Sequence, residues 1–106
     1  GAFPTWLAPV QAVVIPITDR HVEYAREVES QLSQAGLRVE TDSRNERMNA
    51  KIRDAQLQKV PYMVVVGDRE ADAGAGAVRL RSGENLGAMP IADLAARITE
   101  EVDTRS

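Results

Sequence analysis

Two stretches of the chain are apolar without interruption and bounded by polar or turn-forming residues: Gln11–Ile17 (QAVVIPI) and Tyr62–Val66 (YMVVV). Their length and β-branched content predict strands covered on both faces. Pro16 lacks an N–H for the ladder, so pairing of the first strand should stop near it. Leu37–Thr41 (LRVET) and Ala77–Arg81 (AVRLR) alternate instead. Alternation puts Val78 and Leu80 on one face of their strand and Arg79 and Arg81 on the other. Between these strands the spacing turns helical. Ala25, Val28, Leu32 and Ala35 form one stripe, opened by Thr18 or Asp19 as a cap and closed by Gly36 in the left-handed position past a helix end. Acidic Asp19, Glu23 and Glu27 suit the positive end of that helix. A second helix, Glu46–Gln58, carries Met48, Ile52 and Ala55 on one side, with Arg47, Lys51 and Arg53 projecting elsewhere. The turn Asp42-Ser43-Arg44-Asn45 offers it N-caps, and Val60-Pro61 ends it. Ala71–Gly76 and Ser82–Gly87 read as turns, and Ile91, Leu94, Ala95, Ile98 and Val102 predict a final helix.

The order is βαβαβ, then a hairpin-like piece and a helix. Parallel crossovers bury strands between helices and are right-handed. The expectation is a three-layer α/β domain with a mixed sheet, parallel along Gln11–Ile17, Leu37–Thr41 and Tyr62–Val66, with Ala77–Arg81 antiparallel at one side. Ligands of open α/β sheets sit outside the carboxyl ends of the strands. That margin holds Thr18-Asp19, Asp42–Asn45 and Gly67–Glu70.

Composition narrows the chemistry. The 106 residues are 43% hydrophobic with net charge -3, enough apolar content for one core and against disorder. The absence of cysteine excludes a disulfide scaffold, a thiolate nucleophile and Cys-ligated metal, and suits a reducing cytosol. The longest apolar runs are too short to span a bilayer, and Gly1-Ala2-Phe3-Pro4 lacks the start of a signal peptide, so neither secretion nor membrane insertion is expected. A lone histidine, His21, supplies neither a metal cluster nor a triad base and reads as a solvated first-turn residue. Gly74-Ala75-Gly76 lacks the third glycine and the helix start of a dinucleotide loop. Asp68, Glu70 and Asp72 alternate, yet without the glycine and terminal Glu of a calcium loop. No catalytic constellation and no metal or cofactor site is legible. Charge is uneven, however. Segment 44–81 has eight basic and five acidic residues (+3), leaving -6 elsewhere. A polyanion would meet the middle third, and a solvated helix face explains the same excess.

Longer matches go further. Phe3-Pro4-Thr5-Trp6-Leu7-Ala8-Pro9-Val10-Gln11, Asp42-Ser43-Arg44-Asn45-Glu46, Lys51-Ile52-Arg53, Val60–Glu70 (VPYMVVVGDRE), Ala77–Arg81 and Asn85-Leu86-Gly87 run in order through nearly the whole chain. Together they resemble the C-terminal anticodon-binding domain of threonyl-tRNA synthetase, a class IIa aminoacyl-tRNA synthetase. The resemblance implies a five-stranded mixed sheet flanked by three helices, with residues 1–9 a linker from a catalytic core and 10–106 the anticodon-binding domain. It implies a non-catalytic piece of a threonine–tRNA ligase, a cytoplasmic and homodimeric enzyme whose ATP and zinc belong to the core. The partner is the anticodon loop of tRNA-Thr, whose second and third anticodon bases are G and U. Splayed bases of RNA loops expose their Watson–Crick edges. A guanine takes a carboxylate at its N–H groups and a guanidinium at O6 and N7, the roles the resemblance gives Glu70 and Arg79. Asn45 matches the asparagine that contacts anticodon bases. Lys51, Arg53 and Arg81 are weaker candidates for phosphate contacts. Each also has a structural reading: Glu70 and Arg79 as an ion pair between neighbouring strands, Asn45 as a helix N-cap. Three departures from the resemblance stand out: Gly76 replaces a bulky apolar residue and should loosen its strand, the basic run after Arg79 is thinned to Leu80-Arg81-Ser82, and Asn49 replaces a glycine. They leave room for a stand-alone or diverged accessory protein that binds RNA or protein. The fold alone would also suit a small nucleotide-binding enzyme.

Overall fold

The structure, a computed structural model, describes residues 3–105. Gly1, Ala2 and Ser106, which the expected linker and domain limits include, lie outside the described residues. Five strands form one sheet in the order β2-β1-β3-β4-β5. These are β1 (Ala12–Pro16), β2 (Val39–Thr41), β3 (Tyr62–Val66), β4 (Ala75–Leu80) and β5 (Asn85–Pro90). Strands β2, β1 and β3 are parallel, while β4 and β5 run antiparallel. The helices are α1 (Val22–Gln34), α2 (Met48–Leu57), the six-residue α3 (Asp68–Ala73) and α4 (Ile91–Asp103). The expected mixed α/β sheet with three long helices is present, and α3 is an addition to it.

Strands β1 and β3 are buried along their whole length, as their uninterrupted apolar content requires. One face of the sheet carries Ala12, Val14, Tyr62, Val64, Val66 and Val78 beneath α1 and α4. The other carries Val13, Ile15, Met63 and Val65 beneath Ile52 and Ala55 of α2. A single helix covers this second face, and it lies over β1 and β3. The outward side of β4 and β5 beyond Ala77 is therefore left open.

Several local expectations give way to other solutions. Ala71–Gly76 is not a turn: Asp68–Ala73 is helical, Gly74 closes the helix at φ 64°, and Ala75 already begins β4. Within Ser82–Gly87 the turn is short, and Asn85 starts a fifth strand that pairs with β4. Helix α1 is preceded by a 3-10 turn, Asp19–His21. The turn before α2 supplies no cap. Arg47 holds that position without a side-chain bond, and Asp42 binds Arg44 instead. Gly76 does not interrupt its strand. It lies inside β4, opposite Met89, where an added Cβ would fall 2.4 Å from Val64 Cγ1. The one irregularity in the β4–β5 pairing falls later, between Val78 and Arg79.

The segment ahead of β1 is fastened to the body. Gln11 is buried; its amide donates to the Thr5 carbonyl at 3.0 Å and its oxygen accepts from the Arg38 N–H at 2.8 Å. The Arg38 guanidinium donates to the carbonyls of Ala8 and Trp6 at 2.9 and 3.0 Å. Glu101 of α4 accepts from the hydroxyls of Thr5 and Tyr62. Arg105 stacks over the Trp6 ring at 4.9 Å.

Candidate functional site

Helix α2 divides its polar residues between two flanks, because 3.6 residues per turn put Asn49, Arg53 and Gln56 on the opposite side of Ile52 from Lys51, Asp54 and Gln58. The Lys51 flank faces β2, lining a cavity with Glu40, Thr41 and Asp42. The Asn49–Arg53–Gln56 flank lies on the side of α2 away from that cavity and lines a shallow hollow with Arg47 and Ala50. Arg79 belongs to the face of the sheet that α2 covers. It pairs directly with Met63, which lies under α2, and cross-strand partners project to one side of a sheet. Its side chain is half-buried and makes no hydrogen bond or ion pair among the described residues. Arg81, one pleat further on, donates to the Lys59 carbonyl at 3.3 Å, which holds it at the lower end of the face. Arg53, Arg79 and Arg81 thus border the open side of the sheet, and Arg53 is exposed.

Lys51 does not join them. It is only 5% exposed, sunk between α2 and the β2 edge, and so cannot act as the surface phosphate contact expected of it. The reason is positional: on α2 it sits one turn ahead of Ala55, which packs on the sheet, and the β2 side closes over its stem.

Glu70 sits in α3, past the end of β3. Its Oε1 accepts from the Gly67 N–H at 2.8 Å, which joins helix start to helix turn. Arg79 is opposite Met63, three residues before Val66, which at strand rise is about 10 Å down the sheet from the end of β3, and α3 begins two residues beyond that end. No bond joins Glu70 to Arg79 among the described residues, so the inter-strand ion pair is not formed. The two groups are presented separately, at the upper margin and on the open face. Asn45 lies in the loop at the start of α2, two residues before the N-cap. It is exposed, and its amide makes no hydrogen bond among the described residues. Relieved of capping, that amide is available as both donor and acceptor.

Two side-chain networks brace this margin, and neither was visible in the residue pattern. Arg44 spans the loop before α2, donating to Asp42 at 2.9 and 2.7 Å and to Asp54 at 2.8 Å. Bonds from Arg44 hold the Asp42 carboxyl below its ordinary range. His21, expected to be solvated, is buried because the 3-10 turn folds it inward. The Thr18 N–H donates to its Nδ1 at 3.2 Å, so the ring proton is on Nε2, which donates to Asp68 at 2.7 Å. That bond, helped by Arg20 at 2.7 Å, lowers the Asp68 pKa. A free amide, an unpaired guanidinium and a cationic face suit recognition of a polyanion with hydrogen-bonding edges. Among the described residues, no group of three or more His, Cys, Asp or Glu could hold a metal ion, and no helix is long and apolar enough to cross a membrane.

Comparison with known proteins agrees with this geometry. The family model described as an anticodon binding domain matches residues 11–101. The chain is 54% identical over all 106 residues to a threonine–tRNA ligase of Acidobacterium capsulatum, of which it spans 16%. It is 60% identical over 92 residues to the Thermus thermophilus ligase, covering 87% of this chain and 14% of that one. Among solved structures, the RNA binding domain of threonyl-tRNA synthetase from Cryptosporidium parvum superposes with a TM-score of 0.89 at 33% identity. That match covers 95% of this chain and 26% of the other. Histidyl-tRNA synthetase from Nostoc superposes at 0.81 with 30% identity, covering 89% and 23%.

Proposed function

Because the chain belongs to the anticodon binding domain family, we propose that it recognises the anticodon loop of tRNA-Thr as the anticodon-binding part of a threonine–tRNA ligase. The catalytic core of the same polypeptide performs threonine activation with ATP, holds the zinc, and makes the homodimer; the enzyme works in the cytoplasm. This domain contributes selection. Arg79 reads the guanine at the second anticodon position through O6 and N7, with Glu70 accepting from its N–H groups. Glu70 keeps Oε2 for this, since only Oε1 is engaged by Gly67. Asn45 meets the uracil at the third position, and Arg53 and Arg81 meet backbone phosphates. The offset between Glu70, past the end of β3, and Arg79, about 10 Å or more down the sheet, is bridged by the length of the arginine side chain and by the base itself.

The observation that carries this reading is Arg79: a half-buried guanidinium on an open sheet face with no partner among the described residues. Such a group is costly to leave unpaired and is poised for a planar acceptor edge. The test is binding of Arg79→Ala to two anticodon stem-loops, one matched and one with the second anticodon base changed. A loss of about 1–3 kcal/mol on the matched loop, and nearly none on the changed loop, is expected. Equal losses on both would refute base reading by Arg79.

A further inference from the structure

The cavity on the other flank of α2 has a volume of about 360 Å³, room for one heterocycle. Its apolar wall is Val10, Val13, Ala55 and Val60, and its polar wall includes Glu40, Asp42, Lys51 and Asp54. Lys51 is more than nine-tenths buried and its ammonium makes no hydrogen bond or ion pair among the described residues. Asp42 attracts it through space, but a buried ammonium that donates no bond is expensive unless something completes its coordination. Asp54, three residues on along the same helix, is its natural partner, yet the pair does not form. Arg44 holds Asp54 Oδ2 at 2.8 Å, which keeps the carboxylate from swinging to Lys51 and leaves Oδ1 unengaged. The result is a donor and an acceptor side by side beneath an apolar shelf. Charge argues against an anionic occupant: Glu40, Asp42 and Asp54 against Arg44 and Lys51 leave the lining at -1.

We propose that this cavity binds one unstacked nucleobase that presents a carbonyl next to a ring N–H, the edge of uracil or guanine. Lys51 donates to the carbonyl, Asp54 accepts from the N–H, and the ring lies against Val13 and Ala55. Cytosine has an acceptor at its ring nitrogen where the acceptor Asp54 waits, and adenine lacks the carbonyl. This rests on the reading of the domain as an RNA binder and adds a base pocket on the far flank of α2 from Arg79.

The probes are single-stranded pentauridylate and pentacytidylate, titrated into the methyl-labelled chain. Shifts of the Val13, Ala55 and Val60 methyls with pentauridylate, absent with pentacytidylate, are expected. Lys51→Met keeps the stem of the side chain and removes its charge; it should weaken pentauridylate about tenfold and leave pentacytidylate unchanged. Equal methyl shifts with both oligomers, or equal losses in the variant, overturn the pocket. Should the variant fold poorly, the methyl shifts of the unaltered chain decide alone. If the matched stem-loop still binds and Arg79→Ala still weakens it while the pocket methyls stay silent, the pocket is wrong and the anticodon reading stands. If no RNA binds at all, both fall.

Discussion

Replacing Gly76 by alanine would place a Cβ 2.4 Å from Val64 Cγ1 and 3.4 Å from Ile91 Cδ1, inside a part of the core where Val64 is fully buried. Val64 cannot easily turn away, because a β-branched side chain in a strand has few χ1 options. Forcing one extra methyl into such a site costs about 1–3 kcal/mol. Against this, alanine restricts the unfolded chain more than glycine does and returns about 0.5–1 kcal/mol. The net expectation for Gly76→Ala is a loss of about 1–2 kcal/mol. Val64→Ala alone removes two buried methyl groups and should cost about 2 kcal/mol. Combined, the two changes should cost less than their sum by roughly 1–2 kcal/mol, since the new methyl occupies the space that Val64 vacates. Urea unfolding followed by far-ultraviolet circular dichroism, with Trp6 fluorescence as a second probe, measures all four corners of the cycle. Additive costs, or a Gly76→Ala chain as stable as the parent, would refute the claim that close approach of β3 and β4 is why glycine stands here. The position also matters for function, because Arg79 projects from the same strand three residues later.

The loop before α2 should make stability sensitive to acid. Asp42 is held below its ordinary pKa by Arg44, so its contribution is present above the unfolded carboxylate value near ~3.9 and is lost as pH falls through the lower folded value. In Asp42→Asn the urea midpoint should therefore fall less steeply below about pH 4 than in the parent; identical pH profiles would count against the bond. Lys59 follows the end of α2 with φ at 59°, a left-handed conformation that glycine adopts freely. Lys59→Gly should raise stability by about 1 kcal/mol, read as a higher melting temperature, with the bond from Arg81 to its carbonyl kept. An unchanged or lower melting temperature would mean the lysine side chain contributes more than its backbone conformation costs.

What could be read along the chain was what depends on local apolar density. Strand β3 has the limits that YMVVV predicts, and β1 differs from its run only at the ends, Gln11 and Ile17. Strand β5 was hidden because NLGAMP holds a glycine at φ 77° and a proline, residues that mark turns more often than strands; its pairing comes from β4. Helix α3 is shorter than any window in which helical spacing can be counted. For the candidate site, Asn45, Glu70 and Arg79 are singled out by resemblance to a known domain and not by any local pattern. The buried state of Lys51 was not legible, since a lysine on a helix flank looks the same in sequence whether solvent or β2 lies beside it. Nor was the bridge from Arg44 to Asp54, which closes ten residues of chain through a loop whose path no periodicity describes.

Both outer strands of the sheet are poor templates for another chain. Strand β2 is three residues long, and β5 carries an irregular register opposite Val78 and Arg79, a left-handed glycine and a terminal proline without an N–H. Edges blunted in this way resist joining end to end with a second sheet. Such borders let many copies of the domain share a crowded solution without zipping into filaments along their margins.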